Sequence, residues 1–382
     1  MSAEFAAGKA TGDRSPEGSI RVMVVDDSAV IRGLITRMLG DDKSLAVVAS
    51  VSNGLMAVQA LAKTDVDVII LDIEMPVMDG LAALPKLLEI DPEVRILMAS
   101  TLTERNADIS IKAMTLGASD YVPKPTSTRE ISGGDAFRRE LLEKIRILGS
   151  KPKRGLRRTP AETPRPVAAP RPTPSIYPPG PIKFRAPGLL RPNILAVGSS
   201  TGGPQALFAF LKDVRPSINM PVVITQHMPP TFTAILAQHI ERSCQWPCQE
   251  AKDGDPLLPG KILLAPGDFH LLIELKDGKP VARLTKDPPE NFCRPAVDPM
   301  LRSLVAAYNG RILTVILTGM GSDGMKGSRA VVEAGGTIFA QDEASSVVWG
   351  MPGAVATAGL CSAVLPLAEL GGHVMKYLGG KV

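Results

Sequence analysis

The chain has 382 residues, 45% of them hydrophobic and 4% aromatic, with a formal net charge of +4. That length accommodates two or three domains with cores of their own, and so few aromatic side chains argue against a base-stacking nucleic-acid surface. No apolar run approaches the roughly 18–20 residues needed to cross a bilayer, which excludes direct membrane insertion.

Residues 1–19 lack a basic start followed by an apolar core, so no secretory signal is expected and the segment reads as a disordered leader. Residues 20–137 then alternate strand and helix signals. RVMVV, LAVVASV, DVIIL, RILMAS and DYV are short β-rich runs, and AVIRGLITRMLG between the first two carries apolar residues at i, i+4 and i+8. Such alternation predicts a doubly wound parallel sheet of (βα)5 type. Residues 138–190 follow as a charged amphipathic helix, RRELLEKIRIL, leaving the domain, and a Pro/Arg-rich stretch. Proline at that density forbids a helix or a ladder, and so long a structureless run does not belong inside one compact domain. It is read as an interdomain linker, either a passive spacer or a docking site for an acidic partner. Its Lys and Arg, about nine against one Glu, leave the rest of the chain near −4, so the basicity is no argument for nucleic-acid binding.

From 191 to 382 the alternation returns with a larger, mostly parallel sheet. One antiparallel hairpin interrupts it, turning at Lys276-Asp277-Gly278-Lys279. The four cysteines fit neither a zinc ribbon nor a CxxC redox site; Cys244 and Cys248 are expected to share a helix face, and all four to be reduced thiols of a cytoplasmic protein.

Two sets of chemistry-bearing residues sit just after predicted strands, where open parallel sheets bind ligands. In the first half these are Asp26, Asp27, Asp72, Ser100 and Lys124. Two carboxylates about 4 Å apart repel by roughly 4 kcal/mol at an effective dielectric of 20, so three together call for a cation. An all-oxygen set that leaves room for water and phosphate suits Mg²⁺. Lys124 can neutralise a phosphoryl oxygen and Ser100 can donate a hydrogen bond to it.

VVDDS, LDIEMPVMDG, MAST and YVPKP together resemble the receiver domain of two-component response regulators. The resemblance implies that Asp72 accepts the phosphoryl group and that Asp26, Asp27, Asp72 and the backbone carbonyl of Glu74 hold the metal. It further implies that Ser100 and Lys124 read the phosphate, with Tyr121 at the aromatic switch position.

In the second half, Ser199-Ser200-Thr201-Gly202-Gly203-Pro204, His227 and Asp323 each follow an apolar run. Serine needs a base to become a nucleophile, and the base needs a carboxylate to fix its tautomer. The glycines let a backbone approach a substrate, and helix N-terminal N–H groups can hold an oxyanion. Chemistry alone leaves Ser199 and Ser200 equivalent. His239, His270 and His373 read as surface or packing residues, while His227 alone sits at a strand end. The chain order Ser, His, Asp matches none of the three familiar hydrolase orders.

AVGSSTGGP, ITQHMPPTFT, LLAPGDFH, NFCRPAVDPM, LTGMGSDG and AQDEASSVVWGMP resemble the catalytic domain of the CheB family of chemotaxis protein-glutamate methylesterases. The resemblance implies Ser200 as nucleophile, His227 as base and Asp323 as its orienter, with Thr201 and Met320 supporting the oxyanion. It also implies hydrolysis of glutamate γ-methyl esters, and deamidation of glutamines, on the cytoplasmic part of a chemoreceptor. A chemotaxis histidine kinase is the implied phosphodonor, and the esterase itself would need no cofactor. Three other classes share some of these features: a DNA-binding regulator, disfavoured by the absence of a helix-turn-helix; a phospho-dependent scaffold; and a small-molecule amidase.

Overall fold

The computed structural model describes residues 18–101, 103–124, 135–150, 181–215 and 218–379. Nearly all of the expected leader, and the linker over 151–180, lie outside the described residues.

The first domain runs β1 (Ile20–Val25), α1 (Ala29–Gly40), β2 (Leu45–Val51), α2 (Gly54–Leu61), β3 (Val68–Asp72), α3 (Gly80–Ile90), β4 (Arg95–Ser100), α4 (Glu104–Thr115), β5 (Asp120–Pro123) and α5 (Asp135–Gly149). Its five strands are parallel in the order β2-β1-β3-β4-β5, the doubly wound arrangement expected from the alternation. The side chains of Ser28, Asn53, Asp79 and Thr103 accept the N–H groups of Ile31, Met56, Ala82 and Asn106. Each cap satisfies an otherwise orphaned donor and is worth about 1 kcal/mol, so the turns that carry the site are closed by local chemistry. Gly80 opens α3 directly against the carbonyl of Asp72, where any Cβ would collide.

The charged helix expected to leave this domain instead lies on it. Leu141, Ile145 and Leu148 of α5 are buried in one cluster with Val22, Val24, Val68 and Ile70 of the sheet. Lys144, on the same helix, donates to the carbonyl of Tyr121 at 2.6 Å and pairs with Asp120 at 3.1 Å and Glu140 at 3.0 Å.

The second domain contains β6 (Ile194–Ser199), α6 (Gly203–Val214), β7 (Val222–Gln226), α7 (Phe232–Cys244), β8 (Cys248–Glu250), β9 (Ile262–Leu264), β10 (His270–Lys276), β11 (Lys279–Thr285), α8 (Val297–Tyr308), β12 (Ile312–Ile316), α9 (Met325–Glu333), β13 (Thr337–Gln341), α10 (Met351–Thr357), β14 (Ala363–Leu365) and α11 (Leu367–Tyr377). Seven parallel strands lie in the order β14-β13-β12-β6-β7-β9-β8, and β10-β11 forms the separate antiparallel ribbon. Asp277 and Gly278 both have positive φ, at 52° and 72°, as a two-residue hairpin turn requires. Strand order reverses at β6, between β7 on one side and β12 on the other, which opens a crevice beyond their carboxyl ends.

Two expectations are corrected. Cys244 closes α7, Gln245 turns left-handed at φ 50°, and Cys248 opens β8, so the two thiols share no helix face. The last ten residues of the expected linker lie along the second domain: Gly188 donates to Thr337 Oγ1 at 2.9 Å, and Arg185 N–H donates to the Cys361 carbonyl at 3.1 Å.

The two domains share one apolar cluster. Met114, Ala118 and Tyr121 of the first are continuous with Phe232, Leu236 and Ile240 of the second. Tyr121 stacks on Phe232 with centroids 4.4 Å apart and planes 14° from parallel. Gln205 of α6 donates to the carbonyls of Met114 and Ala118, and His239 of α7 meets Asp108 of α4 at 2.7 Å.

Lys144→Ala would strand the buried Asp120 carboxylate. Such a loss is expected to cost the first domain about 3–5 kcal/mol in urea unfolding.

Candidate active site and acidic pocket

β1 and β3 end side by side and deliver Asp26 and Asp72 to one pocket, joined by Asp27 from the β1–α1 turn. Oxygens of the three carboxylates lie within 4.8 Å of one another; Asp26 and Asp72 are buried and Asp27 is exposed. Lys124, just past β5, reaches Asp26 Oδ2 and Asp72 Oδ1, each at 2.6 Å. Burial outweighs this lysine and lifts the Asp72 pKa to about 6. Three carboxylates against one ammonium leave negative charge uncompensated, and an all-oxygen donor set with one solvent-reaching member fits a hard divalent cation. Ser100 ends β4, fully buried, and its hydroxyl oxygen accepts from Ser110 at 3.2 Å. Glu74 is exposed, with its carboxylate turned to Arg105 at 3.5 Å. Tyr121 faces away from the pocket, into the domain interface.

In the second domain, Ser200, His227 and Asp323 follow β6, β7 and β12, the three strands at the crevice. Ser199 and Ser200 are not equivalent here. Ser199 is fully buried and donates to Gln226 Oε1 at 2.6 Å, whereas Ser200 lines the open cleft beside His227. The Gln226 amide then donates to the Ser200 carbonyl at 2.9 Å, fixing the backbone that carries the exposed hydroxyl.

His227 Nε2 lies 2.8 Å from Asp323 Oδ2. Burial alone would raise the Asp323 pKa, but His227 and the N–H groups of Val297 and Asp298 hold it below the ordinary value. Those N–H groups open α8 and lie 2.6 Å and 3.1 Å from its oxygens, so a helix N-terminus keeps the carboxylate ionised. Burial pushes the His227 pKa down, while the sulfur of Cys293 and the Asp323 carboxylate more than reverse it. Thr201 and Met320 line the same cleft, and their backbone N–H groups meet no acceptor among the described residues.

Sequence reasoning missed several neighbours. Asn291 Nδ2 donates to Asp323 Oδ1 at 3.0 Å and to Asp298 Oδ2 at 3.2 Å, and Cys293 Sγ lies 3.4 Å from His227 Nδ1. Both sit in NFCRP, a segment with no strand or helix period. His270 receives the Ala296 N–H at Nδ1 and faces the Pro288 carbonyl through Nε2, and so braces the two ends of that loop.

The cleft, about 680 Å³ in volume, is lined from both domains. Ser200, Thr201, His227 and Met320 form one wall, and Tyr121, Arg139, Glu140 and Lys144 of the first domain stand opposite.

A family model described as CheB methylesterase matches residues 195–374, and one described as a response regulator receiver domain matches residues 22–133. The chain is 58% identical over 381 residues to a protein-glutamate methylesterase/protein-glutamine glutaminase of Azospirillum brasilense, covering 97% of this chain and 95% of that one. It is 59% identical over 365 residues to a protein of the same description from Paramagnetospirillum magneticum, covering 94% and 96%. The crystal structure of the Thermotoga maritima CheB methylesterase catalytic domain is 38% identical, covers 49% of this chain and 100% of that one, and gives a TM-score of 0.48. The response regulator domain of Thermotoga maritima CheB is 37% identical, covering 35% and 99% with a TM-score of 0.32.

Two outcomes follow from this geometry. A carboxyl whose pKa is raised by folding favours the native state below its unfolded value near 4, and loses that contribution as pH rises through about 6. Asp72→Asn is therefore expected to raise Tm at pH 8 in metal-free buffer, with the two proteins converging near pH 4. A Cβ at Gly319 would lie 2.9 Å from the Ser200 Cβ. Gly319→Ala is expected to lower activity at least tenfold while far-UV circular dichroism stays unchanged.

Proposed function

The chain belongs to the CheB family of protein-glutamate methylesterases/protein-glutamine glutaminases, and from that premise we propose the residues, metal and partners through which it works. It is a phosphorylation-regulated carboxylic ester hydrolase of chemotactic adaptation, with a receiver domain ahead of the esterase domain.

Ser200 attacks the γ-carbonyl of a methylated glutamate on the cytoplasmic part of a chemoreceptor. Because Asp323 occupies Nε2 of His227, the serine proton passes to Nδ1. The oxyanion is received by the N–H groups of Thr201 and Met320, which line the cleft beside Ser200 and meet no acceptor among the described residues. His227 returns its proton to methanol, and water then clears the acyl-enzyme by the same route. A glutamine substrate differs only in its leaving group, ammonia.

In the receiver, Asp72 takes the phosphoryl group from a chemotaxis histidine kinase. Asp26, Asp27, Asp72 and the carbonyl of Glu74 would hold Mg²⁺, which when bound offsets the charge of the phosphoryl oxygens. Lys124 turns from its two carboxylates to the phosphoryl group, and Ser100 donates to it. The receiver residues lining the cleft keep the substrate out until Asp72 is phosphorylated. A shift from 1:99 to 99:1 needs roughly 5.5 kcal/mol, which two or three charge-assisted hydrogen bonds of roughly 1.5–3 kcal/mol can supply. Both substrate and kinase place the work in the cytoplasm, and no helix among the described residues is long and apolar enough to cross a membrane.

The single observation that carries this assignment is the 2.8 Å His227–Asp323 contact at the end of the strand next to the one that delivers Ser200. Its test is methanol release from methylated receptor, with and without a small-molecule phosphodonor and Mg²⁺. Stimulated release, lost in Asp72→Ala and reduced by about four orders of magnitude or more in Ser200→Ala, is the expected result. Full activity in Ser200→Ala would remove the nucleophile. Deleting residues 1–150 is expected to raise unstimulated release, and abolished release would remove occlusion.

A further inference from the structure

The catalytic histidine has two candidates for one nitrogen. Nε2 of His227 is committed to Asp323, so only Nδ1 can serve a serine. That nitrogen faces Cys293 Sγ at 3.4 Å, while Ser200 Oγ makes no hydrogen bond among the described residues. Cysteine, histidine and aspartate are therefore connected, and the serine stands beside them unengaged.

The thiol is held there by its loop. Glu290 and Cys293 exchange two backbone hydrogen bonds at 3.1 Å and 2.9 Å, and between them Asn291 and Phe292 both adopt left-handed conformations, φ 50° and 63°. A two-residue turn requires positive φ at both central positions; Asn accepts it readily, whereas a phenylalanine rarely does. Asn291 reaches the Asp323 carboxylate and Cys293 reaches the imidazole. Phe292 is 91% exposed, and its ring lies 5.5 Å from the guanidinium of Arg139 on the receiver helix α5. One turn thus touches the acid, the base and the covering domain. Cys244, Cys248 and Cys361 are buried elsewhere, which leaves Cys293 as the half-exposed thiol of the cleft.

We propose that Cys293 is a positioning residue for the esterase: its sulfur holds Nδ1 of His227 in the receiver-covered state, and the imidazole leaves the sulfur for Ser200 before acylation. The inference rests on Ser200 and His227 being nucleophile and base. Transfer of the thiol proton to Nδ1 gives a thiolate beside an imidazolium, which has no lone pair left for the serine proton, and the Arg139–Phe292 contact ties that masked state to the receiver's position. The other ionisable groups facing the cleft are Arg294 on the same loop and Tyr121, Arg139, Glu140, Glu143 and Lys144 of the receiver. The comparison must therefore be made in the full chain, where all of them remain.

The sulfur helps to lift the His227 pKa, so removing it should lower the pH at which the base becomes free. In full-length Cys293→Ala, the acid limb of kcat/KM for methanol release is expected to move down by about one pH unit, and unstimulated kcat to rise. Cys293→Ser should show the same displacement, because a hydroxyl is too weak an acid to pass its proton to an imidazole unaided. An unmoved acid limb in both variants overturns the proposal, whatever happens to the rate. A second measurement needs no substitution. Iodoacetamide alkylates the thiol by forming a C–S bond as iodide leaves, and the His227 titration followed by NMR is expected to fall to lower pH on labelling at Cys293. A midpoint that stays put after labelling overturns the proposal as well. Release that persists in Ser200→Ala but disappears in Cys293→Ala would instead make the sulfur the nucleophile, overturning the serine assignment and this inference together.

Discussion

A carboxylate removed from water must find its counter-charges or donors within a few ångströms, because leaving it uncompensated costs several kcal/mol. Much of this chain's architecture answers that requirement. Asp323 is met by the first turn of α8 and by His227; Asp26 and Asp72 by Lys124; Asp120 by Lys144. In each case the partner comes from a different element, so satisfying the charge also fixes how those elements meet. The Ser200–His227–Asp323 group and the acidic pocket are two solutions to one problem, built at the carboxyl ends of two parallel sheets.

The short strand β5 and its exit join the two solutions. Asp120 anchors Lys144 and with it the helix α5 that lines the cleft. Tyr121 puts its ring against Phe232, the first residue of α7, a few residues after His227. Lys124, on the exit from the strand, touches the two buried carboxylates of the pocket. The lysine of the acidic pocket and the aromatic ring of the interface therefore belong to one short segment. Only two residues separate Tyr121 from Lys124.

Both sheets, the hairpin and the strand-end residues of both sites were legible in the sequence, because strand–helix alternation brings strand ends together whatever the side-chain detail. Legibility failed where tertiary partners decide. Ser199 and Ser200 differ only through Gln226, a neighbour on another strand. Helix α5 shows an apolar stripe without saying what it covers. Asn291 and Cys293 lie in a turn whose left-handed backbone follows no period, so nothing in the spacing pointed to the triad. His239 has the pattern of a packing or surface residue, yet its partner, Asp108, belongs to the other domain.

The wall that faces Ser200 and His227 is a domain of the same polypeptide, not a separate protein. Contact between that wall and the cleft is made within one molecule. Its equilibrium is indifferent to how much protein a cell makes, whereas a free inhibitor would dissociate on dilution and demand matched expression. The cover on the cleft is therefore the same at every protein concentration, and dilution alone does not remove it.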